Sequence, residues 1–134
     1  MTDYLWIALG GALGSVSRYG LNGFVAAKYG DSFPLGTLVV NVTGSLVIGG
    51  LAALTLPEGR LSVASRAFTM QFLMIGLCGG FTTFSSFSLQ TLELMRAGKF
   101  FFAGSNVLLS VALCLVATWL GYFLVTALAA VKGP

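Results

Sequence analysis

The chain has 134 residues, of which 57% are hydrophobic and 8% are Asp, Glu, Lys or Arg. A soluble domain carries about 25% charged residues, so seven bases and four acids cannot cover a globular surface in water. The charges are also clumped: residues 4–17, 32–57, 67–92 and 100–131 contain none. A helix needs about 20 mainly apolar residues to cross the hydrocarbon core. Four crossings use most of the chain and leave no room for a soluble catalytic domain, so the sequence predicts a small, multi-pass protein of the lipid bilayer.

The first predicted segment covers about residues 4–27, carries Arg18 inside it, and ends in the turn Tyr29-Gly30-Asp31-Ser32-Phe33-Pro34. It opens with Asp3 rather than a basic region and stays apolar past any cleavage position, so it reads as a membrane segment and not a cleaved signal. The second covers about 36–56 and stops at Pro57-Glu58-Gly59-Arg60; the third covers about 64–95, before Arg96-Ala97-Gly98-Lys99; the fourth covers about 100–129. Short connections predict antiparallel neighbours in one four-helix unit over residues 1–134. No internal repeat is visible.

Several function classes drop out. There is no clustered basic surface for nucleic acid. There is no His, and Cys78 and Cys114 lie inside apolar runs, as small core or lipid-facing residues rather than a disulfide or metal pair. Asp3, Asp31 and Glu58 fall at segment ends or in loops, and Glu93 lies near the end of the third segment. The chain is not expected to be an enzyme.

Orientation is poorly specified. The side holding the N-terminus collects Arg60, Arg66 and Lys132, and the other collects Lys28, Arg96 and Lys99. Three against three gives the positive-inside rule nothing to act on, and Arg18, within a segment, tips the balance only weakly. Such a chain can insert both ways and pair as an antiparallel dimer; a fixed topology set by something other than charge is the alternative.

The third segment is longer than a crossing requires, and its middle reads Gly76-Leu77-Cys78-Gly79-Gly80-Phe81-Thr82-Thr83-Phe84-Ser85-Ser86-Phe87-Ser88. Close packing through Gly76-xxx-Gly80 accounts for the glycines but not for five hydroxyls at Thr82, Thr83, Ser85, Ser86 and Ser88. Non-helical backbone at membrane depth is tolerated only where it is buried in protein or lines a watery cavity. The block therefore predicts a third helix broken at mid-membrane, with a functional role.

Helical spacing puts Thr37, Asn41, Gly44 and Ile48 on one face of the second segment. Phe84, Phe87, Ser88 and Thr91 share a face of the third, and Asn106, Ser110, Cys114, Ala117 and Gly121 line up on the fourth. Any one of these polar residues is explained as glue between helices, but three stripes together suggest a polar track. A cation path usually carries carboxylates, and none is expected at mid-depth here. Amide and hydroxyl donors solvate an anion, and the electropositive edges of Phe84 and Phe87 can assist, although core packing explains both rings taken alone. Without a titratable carboxyl in the span, passive conduction is favoured over proton coupling.

These residues resemble the small Fluc (CrcB-type) fluoride channel family of prokaryotes. The matching pieces are Gly10-Gly11-Ala12-Leu13-Gly14 with Arg18-Tyr19, then Gly36-Thr37-Leu38-Val39-Val40-Asn41, and above all Gly79-Gly80-Phe81-Thr82-Thr83-Phe84-Ser85-Ser86-Phe87-Ser88. The resemblance extends over essentially the whole chain. It implies an all-α antiparallel, dual-topology homodimer in the bacterial inner membrane that exports fluoride passively through two pores and lowers fluoride toxicity. It also implies a structural sodium ion at the dimer centre, held by the backbone carbonyls of Gly79 and Thr82. The pore residues it implies are Asn41, Phe84, Phe87, Ser88, Thr91, Asn106 and Ser110, with Arg18 near an aqueous vestibule. One departure is Gln90, where many members are expected to carry Glu. A small four-helix multidrug exporter would need a Glu in the first segment, where this chain has Arg18. A non-transporting membrane scaffold would leave the donor-lined stripes unexplained.

Overall fold

The computed structural model of the chain describes residues 2–56 and 61–131, and all of it that is regular is helical. Pro57, Glu58, Gly59, Arg60 and Lys132 lie outside the described residues, so the charge balance is visible only in part. Helix α1 covers Thr2–Tyr29 and ends where Gly30 takes a left-handed φ of 77°, with its amide donating to the Ala26 carbonyl at 2.8 Å. Pro34 then turns the chain into α2, Leu35–Leu54, and its carbonyl accepts the Leu38 amide at 3.1 Å.

The next helix starts at Ser62, whose hydroxyl caps α3, Val63–Phe68, by accepting the Ser65 amide at 3.1 Å. It runs without a gap into a π-helical stretch, Thr69–Cys78, and a last short turn, α4, Gly79–Phe81. Helical geometry then stops. Thr82 (φ −79°, ψ 157°) and Thr83 (φ −152°, ψ 113°) are extended, and α5 begins at Phe84 and reaches Arg96. Gly98, also left-handed, reverses the chain into α6, Phe100–Val131.

Packing does not follow chain order alone. The most extensive contact is between α2 and α6, and the next is between α1 and the π-helical stretch, while α5 leaves α1 and packs on α6. The third segment thus changes partner at its two extended residues. Aromatic contacts fix the ends: Trp6 meets Phe68 edge-on at 5.1 Å at one end, and Phe33 meets Phe102 at 6.2 Å at the other. Successive long segments therefore run in opposite directions.

Close backbone approach makes the α1 contact possible. A Cβ on Gly10 would strike the Phe72 carbonyl, and one on Gly80 would strike the Gly11 carbonyl. The face presented to α1 reads Phe68, Phe72, Gly76, Gly80, a strict four-residue repeat. In an α-helix that repeat drifts about 40° per step, ~120° from Phe68 to Gly80. The wider i→i+5 bonding of Thr69–Cys78 keeps it straighter against its neighbour.

The surface is apolar outward, with Phe101 82% exposed, while small or polar residues such as Ala103, Asn106, Ser110, Ala117 and Gly121 are buried on the inner face of α6. Among the described residues, three helical spans are long and apolar enough to cross a membrane: Leu35–Leu54, Val63–Arg96 and Phe100–Val131. Helix α1 is long enough but is diluted by Arg18, Asn22, two serines and its glycines. The fold is that of an all-helical, multi-pass membrane protein. Its tight crossing makes a prediction: Gly10→Val forces backbone apart and should lower stability by about 1–3 kcal/mol, read as an earlier thermal transition in detergent. Gly23→Ala, where an added Cβ meets open space, should be neutral or slightly stabilising.

Candidate functional site

The interrupted segment is held by a side chain from another helix. Asn41 on α2 accepts the Thr83 amide on Oδ1 at 2.8 Å and donates from Nδ2 to the Thr83 carbonyl at 3.1 Å. Both polar groups of an extended residue are satisfied by one carboxamide, as a neighbouring strand would satisfy them. The amide has two N–H donors, so one Nδ2 hydrogen is left over while Oδ1 is pinned by Thr83. The Thr83 hydroxyl caps α5 by accepting the Ser86 amide at 3.2 Å.

These two substitutions release specific carbonyls. In an unbroken helix the Thr83 amide would close on Gly79 and the Ser86 amide on Thr82. Here those amides go to Asn41 and to the Thr83 hydroxyl, so the Gly79 and Thr82 carbonyls lose those helical partners. Gly79 is exposed on the single chain, and a Cβ there would meet no atom closer than 3.8 Å.

Beside the break lies a groove of about 360 Å³ between α2, α5 and α6. Asn41, Thr82, Thr83, Phe84, Phe87 and Ser110 line it, with Ser45, Ile48, Val111, Cys114 and Leu115 completing the walls. The Phe84 and Phe87 rings lie 5.2 Å apart and tilted by 49°. They are not equivalent, since Phe84 is 77% exposed and Phe87 only 8%. No carboxylate lines this groove.

The remaining sequence-predicted residues sit around it. Ser88 is exposed and its hydroxyl donates back to the Phe84 carbonyl at 2.9 Å. Thr91 and Asn106 are buried behind the groove, with Asn106 Nδ2 donating to Thr91 Oγ1 at 2.9 Å. Arg18 is half-buried on α1. Its neighbour Tyr19 lines a second cavity of about 400 Å³ that also draws on Asn22, Asp31, Gln90 and Glu93. Gln90 therefore shares this cavity with Glu93, three residues on along α5, and with Asp31 from the turn after α1. Two buried oxygens are without a partner among the described residues: Thr37 Oγ1, on α2 between Gly36 of the second cavity and Asn41 of the groove, and Gln90 Oε1, on α5 in the second cavity.

Sequence reasoning did not single out Thr83, Ser45 or Cys114 as wall residues. Thr83 has a readable signal, a Thr immediately before the first apolar residue of a helix, Phe84. Ser45 lies outside the α2 stripe chosen by strict spacing, and Cys114, though on the α6 stripe, was read as core or lipid-facing. Cys78 is buried and Cys114 half-buried, both as free thiols.

The chain is similar to known proteins over most of its length. The family described as CrcB-like protein, Camphor Resistance (CrcB), matches residues 5–122. A fluoride-specific ion channel FluC of Opitutus terrae is 58% identical over 133 residues, covering 99% of both chains. The protein of the same name from Methylocella silvestris is 54% identical over 131 residues, 98% of each chain, and that of Rhodospirillum rubrum 55% over 119 residues, 89% of this chain and 91% of its own.

The Asn41 clamp makes a direct prediction. Asn41→Ala leaves the Thr83 N–H and C=O without their partner, which costs about 1–3 kcal/mol for each buried group. Hydrogen exchange at the Thr83 amide should change from protected to fast, with a lower unfolding midpoint.

Proposed function

The chain belongs to the CrcB family, and from that premise we propose that it is a fluoride-selective channel that lets fluoride leave the cytoplasm passively and so lowers its toxicity. It is not an enzyme. The observation that carries the reading is the groove: its polar lining is neutral, its donors converge on a small volume, and two phenyl rings flank them.

Fluoride is small and strongly hydrated, so a path for it must replace water with hydrogen-bond donors. The second Nδ2 hydrogen of Asn41 and the hydroxyl of Ser110 are such donors, and Thr37 offers another one turn away on α2. The rings of Phe84 and Phe87 present electropositive edges and exclude larger competitors by bulk. Ser88, Thr91 and Asn106 stand beside this path. The cavity bounded by Tyr19, Asn22, Gln90, Asp31 and Glu93, next along α1 from Arg18, serves as the aqueous vestibule. Fluoride enters cells as the neutral weak acid and dissociates in a less acidic cytoplasm, so a passive path suffices for export.

The finer architecture belongs to the same reading. The active form is an antiparallel, dual-topology homodimer in the bacterial inner membrane with two pores, its third helices broken at mid-membrane. The balanced charges of the two ends and the groove's open side support this assembly. A structural sodium ion fits the dimer centre, where the released carbonyls of Gly79 and Thr82 provide the hard oxygen donors such a cation takes. The ion would tie the two breaks together electrostatically.

Liposomes carrying the protein should lose fluoride quickly while retaining chloride, and Phe84→Ile and Phe87→Ile should each slow the loss; equal loss of chloride would overturn the selectivity. A reporter fused to the C-terminus should be found on both sides of the membrane, and one-sided labelling would count against dual topology.

A further inference from the structure

A buried hydrogen-bond chain runs behind the groove. Asn106 is 2% exposed and neither it nor Thr91 lines the groove, whereas the residues at the two ends of the chain, Ser110 and Phe87, do. Thr91 Oγ1 donates to the Phe87 carbonyl at 2.8 Å, so only its lone pairs are left for Asn106, whose Nδ2 donates to it at 2.9 Å. This fixes the carboxamide: Nδ2 faces Thr91, and Oδ1 faces Ser110, whose hydroxyl approaches at 3.5 Å. A fully buried amide cannot turn over without stranding a polar group in a low-dielectric interior. Every donor in the chain, from Ser110 through Asn106 to Thr91, therefore points back toward the Phe87 carbonyl.

Two properties of the groove follow. The Thr91 bond, tied through Asn106 to α6, holds the turn of α5 that carries the Phe87 ring. Ser110, for its part, has a resting acceptor that is too distant to grip it. Good O–H···O bonds measure about 2.5–3.0 Å, so a contact of 3.5 Å is cheap to leave. The Ser110 hydrogen can swing to an anion in the groove and return to Asn106 Oδ1 when the anion departs.

The geometry points to Asn106 and Thr91 as positioning residues of the ion path: they do not touch the ion, but they fix Phe87 and hold the resting acceptor of the Ser110 hydroxyl. This rests on the reading of the groove as the fluoride path. It differs from ordinary helix glue in requiring the hydroxyl and the amide for rate as well as for folding.

The full-length protein in liposomes at limiting density separates the two. The rate of fluoride loss from active vesicles reports each channel, and the fraction of active vesicles reports how many channels fold. Thr91→Val should slow each channel about tenfold, the rate equivalent of one buried hydrogen bond. Thr91→Ser, which keeps the hydroxyl, should restore most of the rate. Asn106→Leu should slow to a similar degree, and the double variant T91V/N106L should be no slower than either alone, because both cut one chain. A Thr91→Val channel with unchanged rate but fewer active vesicles overturns the inference, as does Thr91→Ser as slow as Thr91→Val. Ser110→Ala and Phe87→Ile test the groove itself. If both leave the rate per channel unchanged, the groove is not the path and this inference falls with it; if both slow it while Thr91→Val does not, only this inference falls.

Discussion

One carboxamide holds the interrupted segment together. A helix cannot simply stop inside a bilayer, because each unsatisfied backbone group in hydrocarbon costs several kcal/mol. Asn41 removes that cost at Thr83 by supplying a donor and an acceptor from a different helix. The other features of the site depend on this exchange. It frees the Gly79 carbonyl from its helical amide, lets α5 begin along a new direction, and pins Asn41 so that its spare N–H is available to the groove. The same carboxamide therefore satisfies the interrupted backbone and fixes the direction of its own spare donor.

The change of direction has a packing counterpart. Before the break, the segment presses on α1 through glycines and two phenylalanines; after it, the segment packs on α6 through Thr91 and Asn106. The first contact depends mainly on shape, with one long Ser15 Oγ–Gly80 carbonyl contact of 3.5 Å across it, since in lipid no hydrophobic force drives helices together. The second is polar and buried, and it depends on complete hydrogen bonding. A single continuous helix would have to make both contacts on one straight axis. The break lets each half meet its own partner.

Much of this is legible in the sequence, and the exceptions have physical causes. The charge-free runs reveal the apolar helices, and Gly30, Pro34 and Gly98 mark where they end. Asn41 stands out as a polar residue on a stripe of small ones. The α2–α6 contact is not legible, because short loops speak only for neighbours in the chain. The π-helical stretch escapes a search tuned to 3.6 residues per turn, although the four-residue spacing of Phe68, Phe72, Gly76 and Gly80 is plain once the wider helix is known. The hydroxyl-rich block marks the interruption at Thr82 and Thr83 but not the partner of each hydroxyl. Thr82 donates to the Cys78 carbonyl, Ser88 to the Phe84 carbonyl, and Thr83 caps α5. Counting hydroxyls cannot distinguish those that bond their own backbone from those left for an ion.

The cavity lined by Asp31 and Glu93 lies at one end of the single chain, beside the turn between α1 and α2. In the antiparallel pair proposed above, a two-fold axis in the membrane plane carries that acidic mouth of one copy to the face opposite that of its partner. Both sides of the membrane then meet the same protein surface, and reversing the assembly leaves it unchanged. Such a protein has no built-in sense of inward or outward. Equal and opposite driving forces must give equal and opposite currents, and the direction of net flow is left to the cell's own gradients.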